Sequence, residues 1–103
     1  LLQILNPAPH RAILVRVLRN LHGVYAEAAQ WDRAARSADR VLKLVPEQAE
    51  ALRDRGLAYL ELDYLPGARQ DLARYLELSP EAEDAAGVRE RLVDAARTRS
   101  ALH

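Results

Sequence analysis

The chain contains no cysteine, no methionine and no phenylalanine, a single tryptophan, a single threonine and two isoleucines. Without cysteine these residues can form no disulfide, no thiolate metal site and no cysteine nucleophile. The scarcity of β-branched and aromatic residues disfavours sheet. Charge of one sign is also lacking: 15 Lys+Arg balance 15 Asp+Glu, which argues against a nucleic-acid or membrane-surface binder. No apolar run approaches the roughly 18 residues of a membrane span. No basic stretch followed by an apolar one reads as a signal peptide; a cytoplasmic location is expected, with the alternative that an export signal belongs to a part of the protein outside this chain. The chain starts Leu1-Leu2 rather than with methionine, which reads as a piece of a longer protein. What is abundant is alanine (19) and leucine (18) among 103 residues, half of them apolar. That composition favours helix and suffices for one packed domain covering 1–103.

The sequence repeats. Displaced by 34 residues, 15–48 aligns with 49–82, and ten of the 34 pairs are identical. They include Leu18/Leu52, Arg19/Arg53, Tyr25/Tyr59, Ala34/Ala68 and Pro46/Pro80. Each unit reads as two helices. In the first unit a helix from about His10 to Ala28 follows Pro7 and Pro9, with Ile13, Val17, Leu18, Leu21 and Tyr25 on its apolar face. A second helix starts at Asp32 as N-cap, runs to about Leu44 and is stopped by Pro46. In the second unit a helix spans about Ala49 to Leu62. Its partner takes Pro66 in the first turn and ends before Ser79-Pro80. A final helix, about 83–99, carries Val88, Leu92, Val93 and Ala96 as one stripe. Ala34, Ala68 and Gly56 are small where helices must approach closely, and Trp31 and Leu65 occupy equivalent positions at the turns.

Leu, Gly, Tyr, Ala and Pro at these offsets in a 34-residue helix–turn–helix unit resemble the tetratricopeptide repeat. The first unit shows Leu18, Leu21, Tyr25, Trp31, Ala34 and Pro46, and departs from the motif at His22 and Ala38. The second shows Leu52, Gly56, Tyr59, Leu65, Ala68, Leu72 and Pro80, and departs at Arg55, where leucine is expected. The resemblance implies an all-α fold: two repeats and a C-terminal capping helix in a right-handed α–α superhelix. More narrowly, Ile13–Tyr25, Arg53–Tyr59 and Gln70–Leu76 resemble the C-terminal region of bacterial SirB-type proteins, which join a transglutaminase-like N-terminal domain to a short tetratricopeptide segment. The resemblance implies that any papain-like chemistry belongs to that other domain.

No catalytic residue, cofactor or metal site is expected in this chain. His10, His22 and His103 are scattered, and Ser37, Ser79 and Ser100 have no base arranged beside them. The first helices of such units line a concave face. Arg16, Arg19, Asn20, Arg53, Leu57, Leu60 and Arg91 are the groove residues expected to meet a protein or peptide. The plainer alternatives are that Arg19 and Arg53 pair with surface carboxylates and that Leu60 packs on Val88 or Leu92. Arg55, at a position that wants leucine, is expected to pair with Asp71 on the facing helix, with Arg55→Leu milder than Asp71→Ala. The functional expectation is a protein-interaction scaffold, using the groove or docking onto its own N-terminal domain. The alternative is a homo-oligomerisation module closed by Leu1, Leu2, Ile4 and Leu5. Neither nucleic acid nor membrane is expected as a partner.

Overall fold

The computed structural model describes residues 7–101, with side chains described from 10 to 98. The described residues form five helices and no strand: α1 (Pro7–Glu27), α2 (Trp31–Leu44), α3 (Ala49–Glu61), α4 (Leu65–Leu78) and α5 (Ala85–Ala101). Leu1, Leu2, Ile4, Leu5 and His103 lie outside the described residues, and so does the side chain of Ser100. Three helix starts differ from the sequence expectation. The helix α1 takes in Pro7, because a proline fits the first turn, where the missing N–H has no partner to lose. Gln30, not Asp32, is the N-cap of α2. Asp32 sits in the first turn, where its charge suits the helix N-terminus, and it pairs with Arg36 one turn on at 3.1 Å. The helix α5 begins at Ala85, because the preceding residues make turns closed by Ala82 N–H to the Ser79 carbonyl (3.1 Å) and Ala85 N–H to the Ala82 carbonyl (3.0 Å).

The two hairpin turns are the same device used twice. In the first, the Ala29 N–H reaches back to the Ala26 carbonyl (3.0 Å) and the Gln30 N–H to the Tyr25 carbonyl (2.8 Å). In the second, Asp63 bonds Leu60 (3.1 Å) and Tyr64 bonds Tyr59 (2.8 Å). This pair of backward bonds closes a helix when the residue after its end is left-handed. Ala29 (φ 56°) and Asp63 (φ 59°) adopt that conformation without being glycine. In the second turn the apolar contact that accompanies such a cap is aromatic: Tyr59 and Tyr64 meet edge to face, centroids 5.0 Å apart. Both repeat tyrosines thus fix the turn geometry with their backbone carbonyls, and Tyr59 also packs its turn with its ring.

The core runs through α2, α3 and α4. Val41, Leu42, Ala51, Leu52, Leu72, Tyr75 and Val88 form one buried cluster, against which Val15, Leu18, Leu57, Leu60, Leu76 and Leu92 pack. Ala34, Ala35 and Ala58 form a second, beneath Tyr25, Trp31 and Tyr59. Small residues set the spacing, as at Gly56, where a Cβ would stand 2.6 Å from Leu72 Cγ and 3.2 Å from Asp71 Cβ. The end helices correct the expected apolar faces. Ile13 and Val17 are exposed on α1 and Val93 is exposed on α5. Each of these helices packs within the described residues on one side only, so half of its apolar pattern finds nothing to cover it.

Candidate functional site

The first helices of the two hairpins, α1 and α3, stand side by side. Arg16, Arg19 and Asn20 are exposed on α1 and edge an open trough of about 570 Å³ that reaches Asp54 on α3. His22 forms its inner wall. Its Nδ1 lies 2.8 Å from the Ala34 carbonyl, and facing an acceptor it carries the hydrogen and donates. Its Nε2 lies 3.9 Å from Asp54 Oδ2. A single side chain therefore ties α1 to α2 and stands close to Asp54 of α3, at a position where the sequence departed from the motif's glycine.

Further along the same side, a trough of about 390 Å³ opens around Arg53 and Tyr75, rimmed by Glu50, Glu83 and Asp84. Arg53 donates to Asp54 Oδ1 through Nε (3.3 Å) and Nη2 (3.2 Å), approaches Asp84 Oδ2 at 3.5 Å, and lies 5.8 Å over the Tyr75 ring. Burial pulls its pKa down, but the charge and hydrogen bonds of Asp54 outweigh that and leave it above the ordinary value. The Tyr75 hydroxyl donates to Asp84; burial first and that bond second push its pKa up.

A model of the tetratricopeptide repeat matches residues 21–93, most of the chain. The chain belongs to the tetratricopeptide repeat family. Among solved structures, the C-terminal TPR-containing domain of a Plasmodium falciparum protein, named as an FK506-binding protein, superposes with a TM-score of 0.81 at 21% identity, covering 92% of this chain and 61% of that one. That likeness concerns the fold. A UPF0162 protein of Xylella fastidiosa is 64% identical over all 103 residues. UPF0162 protein YchA of Escherichia coli is 29% identical over 99 residues, and protein SirB1 of Salmonella typhimurium 28% over 99, each match covering 96% of this chain. The chain spans 37% of the length of each of these relatives. The tetratricopeptide fold is that of protein-interaction scaffolds and is generally non-catalytic.

Within this tetratricopeptide pair the expected groove residues are not equivalent. Arg53 is occupied by Asp54 and Asp84, and Arg91 by Glu61 at 2.8 Å. Leu57 and Leu60 are half-buried, packed against the cluster that holds Val88. Arg16 and Arg19 have no carboxylate partner among the described residues. Arg55 donates to both oxygens of Asp71, Nε–Oδ2 2.7 Å and Nη2–Oδ1 2.8 Å, and through Nη1 to Asp39 Oδ1 at 2.7 Å, with Tyr59 beneath it at 5.8 Å. The Asp71 bonds raise its pKa against the opposing effect of burial. This knot joins α3 to α4 and α2. Asp39, on the previous repeat, was not foreseen, since no local spacing links it to Arg55.

Two further features escaped the sequence. Ile13, Leu14, Val17 and Val24 of α1 are 59, 50, 53 and 61% exposed. A pocket between α1 and α2 is lined by Arg33, Arg36 and Arg40. The spacing of those arginines, three and then four residues, would have placed them on one side of a helix. Among the described residues no group of three histidines or carboxylates is disposed to hold a metal, and no helix is long and apolar enough to cross a membrane.

Proposed function

We propose that this tetratricopeptide segment is a docking module, seating the outer face of α1 on the remainder of a longer, cytoplasmic protein. In keeping with the SirB-type resemblance, that remainder is transglutaminase-like and holds whatever chemistry the whole protein performs. The observation that carries this reading is the exposure of Ile13, Leu14, Val17 and Val24 on one helix, beside the side packed on α2. Covering side chains that are already half buried contributes roughly 1 kcal/mol each, enough for a stable contact when the partner is tethered. The length of the curated relatives supports it, since this chain spans only 37% of them. Exposed apolar residues gathered on one helix mark a contact surface rather than ordinary scatter.

The test is to express the segment and the remainder of the protein as separate polypeptides and measure their association by calorimetry. Association should be abolished by Ile13→Asp/Val17→Asp, a change at exposed positions that leaves the melting temperature of the segment alone. Absence of any association, or association indifferent to that variant, refutes the reading. A second reading is favoured by one observation: among the described residues Arg16 and Arg19 edge the α1–α3 trough without carboxylate partners, so the concave side retains cationic groups for an acidic peptide. A homodimer through α1 is the remaining alternative; sedimentation at high micromolar concentration separates it from docking.

A further inference from the structure

The pocket between α1 and α2 opens beside the apolar strip of α1. Leu21 and Tyr25 form its α1 wall, Arg33, Arg36 and Arg40 its α2 wall, and the volume is about 200 Å³. A helix turns about 100° per residue, so residues seven apart stand nearly in line. Leu14 therefore lies in line with Leu21 of the pocket wall, and Val17 with Val24 on the adjoining line. The strip and the pocket form one continuous surface: an apolar band on α1 with a row of guanidinium groups along its α2 edge.

The row is under-neutralised. Arg36 pairs with Asp32 at 3.1 Å. Arg33 lies 5.9 Å over the Tyr25 ring and reaches only the neutral Gln30 side chain, at 3.4 Å. Arg40 has no ion-pair partner among the described residues. A body that covers the apolar band must also take this edge out of water, and a desolvated guanidinium without a carboxylate is costly. A purely apolar partner is thus penalised along one side of the contact it would otherwise make well.

We infer that the surface receives an acidic amphipathic segment from the remainder of the same protein, its apolar ridge on Ile13, Leu14, Val17 and Val24 and its carboxylates at Arg33 and Arg40. This inference rests on the docking reading and adds the chemistry of the partner. A second copy of this chain fits less well. Its other exposed large apolar residues, Leu62, Tyr64, Leu78 and Val93, are divided among the α3–α4 turn, the end of α4 and α5, and make no ridge. Charge complementarity along one edge also sets the direction in which the segment lies, because reversing it would leave the arginines facing apolar side chains.

The experiment uses the whole protein. Arg40→Lys keeps the charge and supplies an amine, which a carbodiimide couples directly to any carboxylate in contact; mass spectrometry then locates the coupled residue. The expected product links position 40 to an Asp or Glu outside these 103 residues, and its yield falls about tenfold when Arg33→Glu is added or when salt is raised to about 1 M. Mixing isotopically labelled and unlabelled protein should give no mixed product, and a mixed product overturns the proposal in favour of a second copy. Coupling confined to Asp32 or Asp39, while Ile13→Asp/Val17→Asp still separates segment and remainder, overturns the acidic partner and leaves docking standing. Failure of both measurements overturns the two together.

Discussion

Arg55→Leu restores the residue that the repeat motif expects, yet it is expected to be the most damaging single change in the Arg55 knot. The reason is the asymmetry of burial. The Asp71 side chain is 4% exposed and that of Arg55 is 21% exposed. Removing the arginine strands a carboxylate deep between α3 and α4, and breaking a buried pair in this way costs about 3 kcal/mol. For a chain of this size that lowers the melting temperature by roughly 15 °C, at 4–8 °C per kcal/mol. Asp71→Ala is milder, about 1.5–2 kcal/mol, since Arg55 keeps Asp39 at 2.7 Å and is close enough to the surface to hydrate. The order is therefore the reverse of the one the motif suggests. The double variant Arg55→Leu/Asp71→Ala removes both charges and should be more stable than Arg55→Leu alone, giving a coupling energy of about 2 kcal/mol. Asp39 is not stranded in any of these variants, because Lys43 lies 3.3 Å from it. The assay is urea unfolding followed by circular dichroism for the four members of the cycle. A coupling energy below about 0.5 kcal/mol, or Asp71→Ala costing more than Arg55→Leu, would refute the reasoning.

Other changes test the packing and the turns. Gly56→Ala should destabilise by about 1–3 kcal/mol because its Cβ meets Leu72, whereas Gly23→Ala, with nothing within 4 Å of its Cβ, should stabilise by up to about 1 kcal/mol through helix propensity; thermal melts showing the same sign for both would contradict this. Ala29→Gly should raise stability by about 1 kcal/mol by relieving a left-handed alanine, measured as an increased urea midpoint with an unchanged slope. The raised pKa of Tyr75 means that the folded state holds its proton more tightly than the unfolded one. Its share of stability is intact below about pH 10 and is lost as the pH rises through the raised value. Tyr75→Phe should lower stability at neutral pH by about 1 kcal/mol through the lost Asp84 bond and flatten the decline above about pH 10; an unchanged alkaline limb would disprove the assignment.

Legibility of the site differed with the kind of interaction. The Arg55–Asp71 contact could be anticipated because a charge in a leucine position must find an opposite charge on the helix it faces. Asp39 could not, because it comes from the neighbouring repeat and depends on how two hairpins are offset. The groove expectation treated Arg19 and Arg53 as equivalent by register. Arg53, however, has Asp84 from the turn before α5 beside it, and Arg19 has no carboxylate in that place among the described residues. Leu57 and Leu60 are half-buried against a cluster drawn from four helices, which register along one repeat does not reveal.

By itself the sequence determined the unit. Periodicity, the two prolines that end the second helices, and small residues at close approaches are local or act between neighbours in one hairpin, so a 34-residue pattern suffices to specify them. The tertiary structure alone decided which apolar face of α1 and α5 is covered, which arginines are already neutralised, and where an apolar band meets an under-neutralised cationic edge. Those outcomes depend on what lies beside each helix. In a stacked array the end helices have a repeat on one side only among the described residues, and the repeat pattern is the same for an end helix as for an inner one.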